Sequence, residues 1–248
     1  MDAMDISNKQ AAEAAWLEVG VIDWEKVAET TRWGSHVSTV EERLIRSAER
    51  QARPASEALD IGCDKGRWSK MLAGLGWQMT CIDVNYQALA ACQHRLPAAR
   101  CVLADPRDNT LPLNSGSLSL ILCIEVPPVI QSNWFIPEAN RVLKPGGILV
   151  GVTWNRTSWR GLYARLRGLL GRTAKTAFYK RSYAAFRSEL LENGFLPIEE
   201  EGFCWEPFPR RSDSHLVPWF TGLGPLLGLN RLVRFSPWVG FVSRKAAC

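Results

Sequence analysis

Asp60, Asp83 and Asp105 each stand at the end of a short, mainly apolar run: Ala58–Ile61, Met79–Val84 and Arg100–Ala104. Such runs, bounded by turn residues, read as buried strands. A carboxylate at a strand end offers hydrogen-bond acceptors and negative potential, which suit a hydroxyl-bearing cation and repel a phosphate. The stretch Asp60-Ile61-Gly62-Cys63-Asp64-Lys65-Gly66 is a strand end, a glycine turn and a helix start. A nicotinamide dinucleotide site would want glycine at 62, 64 and 67; Asp64 and Arg67 stand at two of these positions, and an aspartate beside a pyrophosphate is repulsive. The chain also lacks the Gly-Lys-Ser/Thr end of a P-loop here. Asp83 lies 21 residues after Gly62, about the distance at which an acid on the second strand grips ribose hydroxyls. Asp105 can accept a hydrogen bond from an exocyclic amine. These acids together ask for a positively charged nucleoside.

Other residues could move a proton. His36 in an N-terminal loop, His215 near the C-terminal end and Glu125 at the tip of the run Ser117–Glu125 are the candidate bases; His94 reads as a solvent-facing residue of a helix. Trp33 is expected either over the ligand or in the core. The seven cysteines (63, 81, 92, 101, 123, 204 and 248) form no CxxC pair and read as buried thiols of a reducing, cytoplasmic compartment, with no metal site expected.

Strand and helix patterns alternate from 55 to 154, which requires a parallel, doubly wound α/β sheet with its ligand at the carboxyl ends of the strands. The periodicity predicts helices over Ala11–Val19 and Val40–Gln51, the second capped by Thr39 with Glu42, with a loop over 31–36 between them. Further helices are predicted from Trp68 to Leu75, over Tyr86–Arg95 and over Trp134–Leu143, and strands over Ser117–Glu125 and Ile148–Trp154. The first residues lack the basic and apolar regions of a signal peptide, and no apolar run reaches the length of a membrane span.

The motifs now resemble those of a family. Asp60–Gly66 resembles the DxGxGxG motif of class I S-adenosylmethionine-dependent methyltransferases, with Asp64 in place of the middle glycine. Asp83 matches the acid of their second motif and Asp105 that of the third. Glu138-Ala139-Asn140-Arg141-Val142-Leu143-Lys144-Pro145-Gly146-Gly147 is similar to the segment before the fifth strand in the small-molecule branch. The resemblance implies S-adenosyl-L-methionine as cofactor. Its site would be formed by Asp60, Gly62, Cys63, Asp64, Gly66, Asp83, Val84, Asp105, Pro106 and Cys123. The family's fold is a Rossmann-like seven-stranded sheet of order 3-2-1-4-5-7-6, with candidate sixth and seventh strands at Leu196–Trp205 and Trp238–Arg244. One domain is expected: N-terminal helices over 1–52, a core over 55–154, and cap elements over 155–195 and 206–237 on the substrate side.

The 248 residues carry a net charge of +5, split as −3 over 1–153 and +8 over 154–248. Trp154 to Arg187 holds nine Lys/Arg and no acid. On a helical wheel Trp159, Leu162, Tyr163, Leu166, Leu169 and Leu170 share one arc, edged by Arg165 and Arg172 and by Arg160 and Arg167. The expected partner is a small, lipophilic or anionic methyl acceptor, methylated at O, with C or N open. Three readings of the basic half compete: a packed helical cap, a membrane-contacting surface over 156–187 and 214–235, and, least favoured, nucleic-acid binding. A non-catalytic protein of the same fold and an RNA methyltransferase are the alternative functions.

Overall fold

The structure, a computed structural model, describes residues 23–169 and 178–247. The helix expected over Ala11–Val19 lies outside them, as do Leu170, Arg172 and the thiol of Cys248. Seven strands, β1 (Glu57–Ile61), β2 (Gln78–Asp83), β3 (Arg100–Leu103), β4 (Leu118–Cys123), β5 (Leu143–Trp154), β6 (Phe195–Phe203) and β7 (Trp238–Lys245), form one sheet of order β3-β2-β1-β4-β5-β7-β6. β1 to β5 pair in parallel, and β7 runs antiparallel to both β5 and β6. This is the seven-stranded doubly wound order expected.

Helices cover both faces. They are α1 (Trp24–Thr30), α2 (Arg32–Ala52), α3 (Arg67–Ala73), α4 (Tyr86–Arg95), α5 (Pro127–Ile130), α6 (Phe135–Val142), α7 (Trp159–Leu169), α8 (Tyr183–Glu192) and α9 (Val217–Leu226). α2, α3 and α4 pack one face, with Leu44, Ile45 and Leu72 fully buried; α6 and α8 pack the other, with Phe135, Ile136, Phe186 and Leu190. β4 is apolar nearly throughout because both of its faces are covered.

One local expectation fails for a physical reason. The segment 31–36 is not a loop but the first turns of α2. Thr31 caps it, its Oγ1 accepting from the Gly34 amide at 3.0 Å, whereas Thr39 sits mid-helix and donates to the Ser35 carbonyl. Gly34 reads as a breaker, yet it is there for contact: a Cβ would lie 2.3 Å from the Val27 carbonyl oxygen of α1. In the cap, the reading of α7 as a helix packed on the sheet by its apolar arc loses support. α7 buries Gly161 and Ala164 and leaves Trp159, Leu162, Tyr163, Leu166 and Leu169 exposed, so its apolar arc does not pack on the sheet.

Candidate active site

The strand order reverses between β1 and β4, and the residues that follow their carboxyl ends make a tight turn. Gly62 takes φ +68° and its amide donates to the Ile82 carbonyl at 2.8 Å; a Cβ there would lie 2.4 Å from Val126. Gly66 takes φ +77°, and a Cβ would strike the Cys92 sulfur at 2.6 Å. Between them Asp64 also adopts a left-handed conformation, φ +46°, which Asp tolerates better than most residues. Its amide donates to Asp83 Oδ2 at 2.9 Å, while Asp83 Oδ1 accepts from the Asn85 amide at 2.8 Å. Asp83 thereby locks the turn after β1 to the end of β2. Asp60 is buried and accepts from Ser69 Oγ at 2.6 Å; burial lifts its carboxyl to about 7 against that hydrogen bond. Burial also raises Asp64. Asp105 differs: it is grasped by the Arg107 side chain and backbone amide, which hold its carboxyl down at about 2.

α1 is strapped over this turn. Lys65 Nζ meets Asp23 Oδ2 at 2.6 Å and Arg95 meets Glu25 at 2.8 Å. Beyond β4, Glu125 holds φ +54° with its side chain mostly buried. It faces Arg210, 4.0 Å away, from the connection between β6 and β7. The Arg210 guanidinium sits 4.2, 4.7 and 5.0 Å from the ring centres of Trp154, Trp238 and Trp24. Glu125 Oε1 and Arg210 Nη2 are buried and neither has a hydrogen-bond partner among the described residues. Burial raises the Glu125 carboxyl, and the cations of Arg210 and Arg67 oppose it. Glu41, paired with Arg67 at 3.1 Å, completes a group of two acids and two bases.

Comparison with known proteins explains the pattern. Residues 59–151 match the family model described as a methyltransferase domain. The ubiquinone biosynthesis O-methyltransferase of Xanthomonas campestris pv. campestris is 33% identical over 121 residues, covering 46% of this chain and 50% of that protein. The 2-methyl-6-phytyl-1,4-hydroquinone methyltransferase of a Synechocystis strain is 32% identical over 108 residues, 42% of this chain and 33% of that one. The chain thus spans about half the length, or less, of these curated relatives. The geranyl diphosphate C-methyltransferase of Streptomyces coelicolor A3(2), solved with S-adenosyl-L-homocysteine, superposes with a TM-score of 0.60 at 14% identity, covering 84% of this chain and 79% of that one. The chain therefore shares the doubly wound, Rossmann-like fold of that enzyme.

The turn after β1 fits a cationic nucleoside on its own donor set. Each Asp83 oxygen takes one backbone amide and keeps a lone pair for a hydroxyl. Asp60 and Asp64 add negative potential with no lysine or arginine side chain bonded to either carboxylate among the described residues, and Val84, half exposed, offers an apolar contact at the strand end. Other expected positions serve from behind. Cys123 is fully buried in β4, and the Cys63 side chain points into the core rather than to the ligand side. Pro106 is exposed next to the Asp105–Arg107 pair.

The histidines do not join Glu125. His215 is exposed just before α9. His36 lies in a cleft between α2 and α9 with Arg32 and Asp213, and burial lowers it to about 4. Trp33 is core, edge-on to Trp238 at 5.5 Å. The cysteines do cluster, contrary to their spacing: the Sγ atoms of Cys63, Cys81 and Cys92 lie within 4.8 Å of one another, and Cys101 Sγ is 3.9 Å from Cys92. Of these, Cys92 fills the space under Gly66.

Two positioning residues carried no sequence signal. Asn155, fully buried after β5, donates to the carbonyls of Arg234 and Ser236 and accepts from the Tyr183 amide. Gln131 donates to the Trp154 and Phe178 carbonyls and accepts from the Lys180 amide. Both polar side chains satisfy loop backbone that would otherwise be buried unpaired.

Proposed function

We propose that this protein transfers the methyl group of S-adenosyl-L-methionine to a small lipophilic or anionic acceptor, at an oxygen. The observation that carries the reading is Asp83, fixed by two backbone amides at the end of β2 with acceptor capacity facing the turn of Gly62, Asp64 and Gly66. When bound, the cofactor supplies a methyl group on a positively charged sulfur. The chain's own residues do the rest. Asp83 takes the ribose hydroxyls, and Asp60 and Asp64 hold the cationic end by their field. Glu125 and Arg210 lie on the acceptor side, beyond the end of β4. The buried carboxylate of Glu125 is placed to take a proton from a hydroxyl, and Arg210 to hold the oxygen that loses it. Trp154, Trp238 and Trp24 form apolar walls around that pair and exclude water.

Two of the similar proteins are named for quinone compounds, ubiquinone and a phytyl hydroquinone. An aromatic hydroxyl on a lipophilic body suits a cluster of indoles around one cation, and this supports O-transfer. Six described cysteines are free, in keeping with a cytoplasmic setting.

Calorimetry tests the reading. S-adenosyl-L-methionine and its demethylated product should both bind, and Asp83→Asn, which loses the charge and one of the two acceptor oxygens, should weaken binding by about tenfold or more while lowering the melting temperature by a few degrees, because one backbone amide loses its acceptor. The absence of heat with either ligand would sink the proposal.

A further inference from the structure

The cap turns its large apolar side chains outward. Leu169 is 84% exposed, Leu226 82% and Trp219 74%; Leu162, Tyr163 and Leu223 are about half exposed beside them on α7 and α9. Scattered exposed leucines are normal, but two helices that both bury small or few residues and expose their bulky ones are not. α7 buries only Gly161 and Ala164, and α9 only Val217. The two helices are joined through the connection between β6 and β7. Arg160 on α7 donates to the carbonyls of Cys204, Glu206 and Phe208, and Phe208 meets Phe220 of α9 edge-on at 5.5 Å. Arg160 is thus an internal brace rather than a surface cation.

The charges around this apolar surface have one sign. Arg156, Arg165, Arg231 and Arg234 are exposed and make no ion pair among the described residues. Only two acids lie within 154–169 and 204–237: Glu206 is buried, and Asp213 is bonded to Arg32. No helix among the described residues is long and apolar enough to cross a membrane. An exposed apolar face with unpaired arginines and no free acid complements one surface chemistry, the boundary of anionic headgroups and acyl chains.

We propose that α7, α9 and the Leu232–Phe235 segment form a docking face for an anionic phospholipid bilayer, with the leucines and Trp219 entering the interface and the four arginines pairing with headgroup phosphates. Both helices follow carboxyl ends of strands, α7 after β5 and α9 after β6, so the docked protein presents its acceptor side to the lipid. The lipophilic acceptor of the proposed reaction would then reach Glu125 and Arg210 from the bilayer rather than from water. The docking itself needs neither cofactor nor acceptor, so its test is independent of the methyl-transfer reading.

The full chain, without ligands, is sedimented with vesicles of phosphatidylcholine alone and of phosphatidylcholine with roughly a third phosphatidylglycerol. Binding should be confined to the anionic vesicles and weaken several-fold as salt is raised, because screening shortens the reach of the arginines. Leu169→Glu with Leu226→Glu should lower the bound fraction about tenfold or more, and Arg165→Glu with Arg231→Glu should remove the preference for anionic vesicles. All four positions are exposed, and an unchanged melting temperature confirms that the variants fold. Equal binding to both vesicle types, or none to either, overturns the proposal. So does a dimer in sedimentation equilibrium that Leu169→Glu with Leu226→Glu dissociates, which would make the face a contact between two copies of this chain.

Discussion

Burial lifts Asp60 to about 7, from an ordinary value near 3.8, with the Ser69 hydroxyl pulling the other way. The unfolded chain therefore releases this proton first as pH rises, the folded chain only near neutrality, and folding stability falls across that window. Wild-type protein should lose stability to urea between about pH 4 and pH 7, and Asp60→Asn, which cannot ionise but still accepts from Ser69, should lose less, the two curves diverging by a few kcal/mol at the upper end. Parallel curves would place the titration on other groups. The strand-tip acids were legible in the sequence because backbone order alone carries Asp60, Asp83 and Asp105 to neighbouring strand ends. What the spacing could not show is which acid stays free. Arg107, two residues past Asp105, occupies that carboxylate, and a side chain's choice of partner leaves no periodic trace. Arg210 and the cysteine cluster were hidden for a related reason: their neighbours come from separate elements and meet only in the folded chain.

Strands and most helices were legible because their apolar period survives any context; α4 begins and ends where its pattern does. α7 shows where that logic stops. An apolar arc at helical spacing normally faces the core, and here it faces out because Gly161 must approach the chain before it. A Cβ on Gly161 would lie 2.4 Å from the Arg156 carbonyl oxygen and 2.7 Å from that of Asn155. Steric fit at one glycine thus outweighs the hydrophobic arc in choosing the inward face. Gly161→Ala separates the two orientations. On an outward-facing turn the change would stabilise the helix by up to about 1 kcal/mol. With the observed packing it should destabilise the protein by about 2 kcal/mol or more, lowering the melting temperature by several degrees. A gain in melting temperature would return α7 to the orientation its arc suggests.

The charge division of the chain, −3 against +8, has a structural counterpart. The acidic part supplies the turn suited to a cation, and the basic part folds back over the same sheet edge through β6, the arm after it and β7. The arm meets the N-terminal helices at Arg32–Asp213 and Trp33–Ser212, and meets the core at Arg210 and Glu125. That last contact joins residues from β4's tip and the distant insertion, Glu125 mostly buried and Arg210 partly so, each with the other as its nearest opposite charge. Removing Arg210 alone leaves Glu125 with only the more distant Arg67 as counter-charge, pushes its carboxyl further up, and costs more as pH rises above the ordinary carboxylate range. Removing both charges leaves no such debt. In urea denaturation at about pH 8, Arg210→Met should therefore cost about 2–4 kcal/mol, and adding Glu125→Gln should recover about 1–3 kcal/mol of it. Simple additivity of the two substitutions would mean that the three indoles alone hold the arm. Recovery would show that the arm is latched by charge at the point where the acceptor is expected to sit, so that an anionic acceptor and Glu125 compete for the same guanidinium.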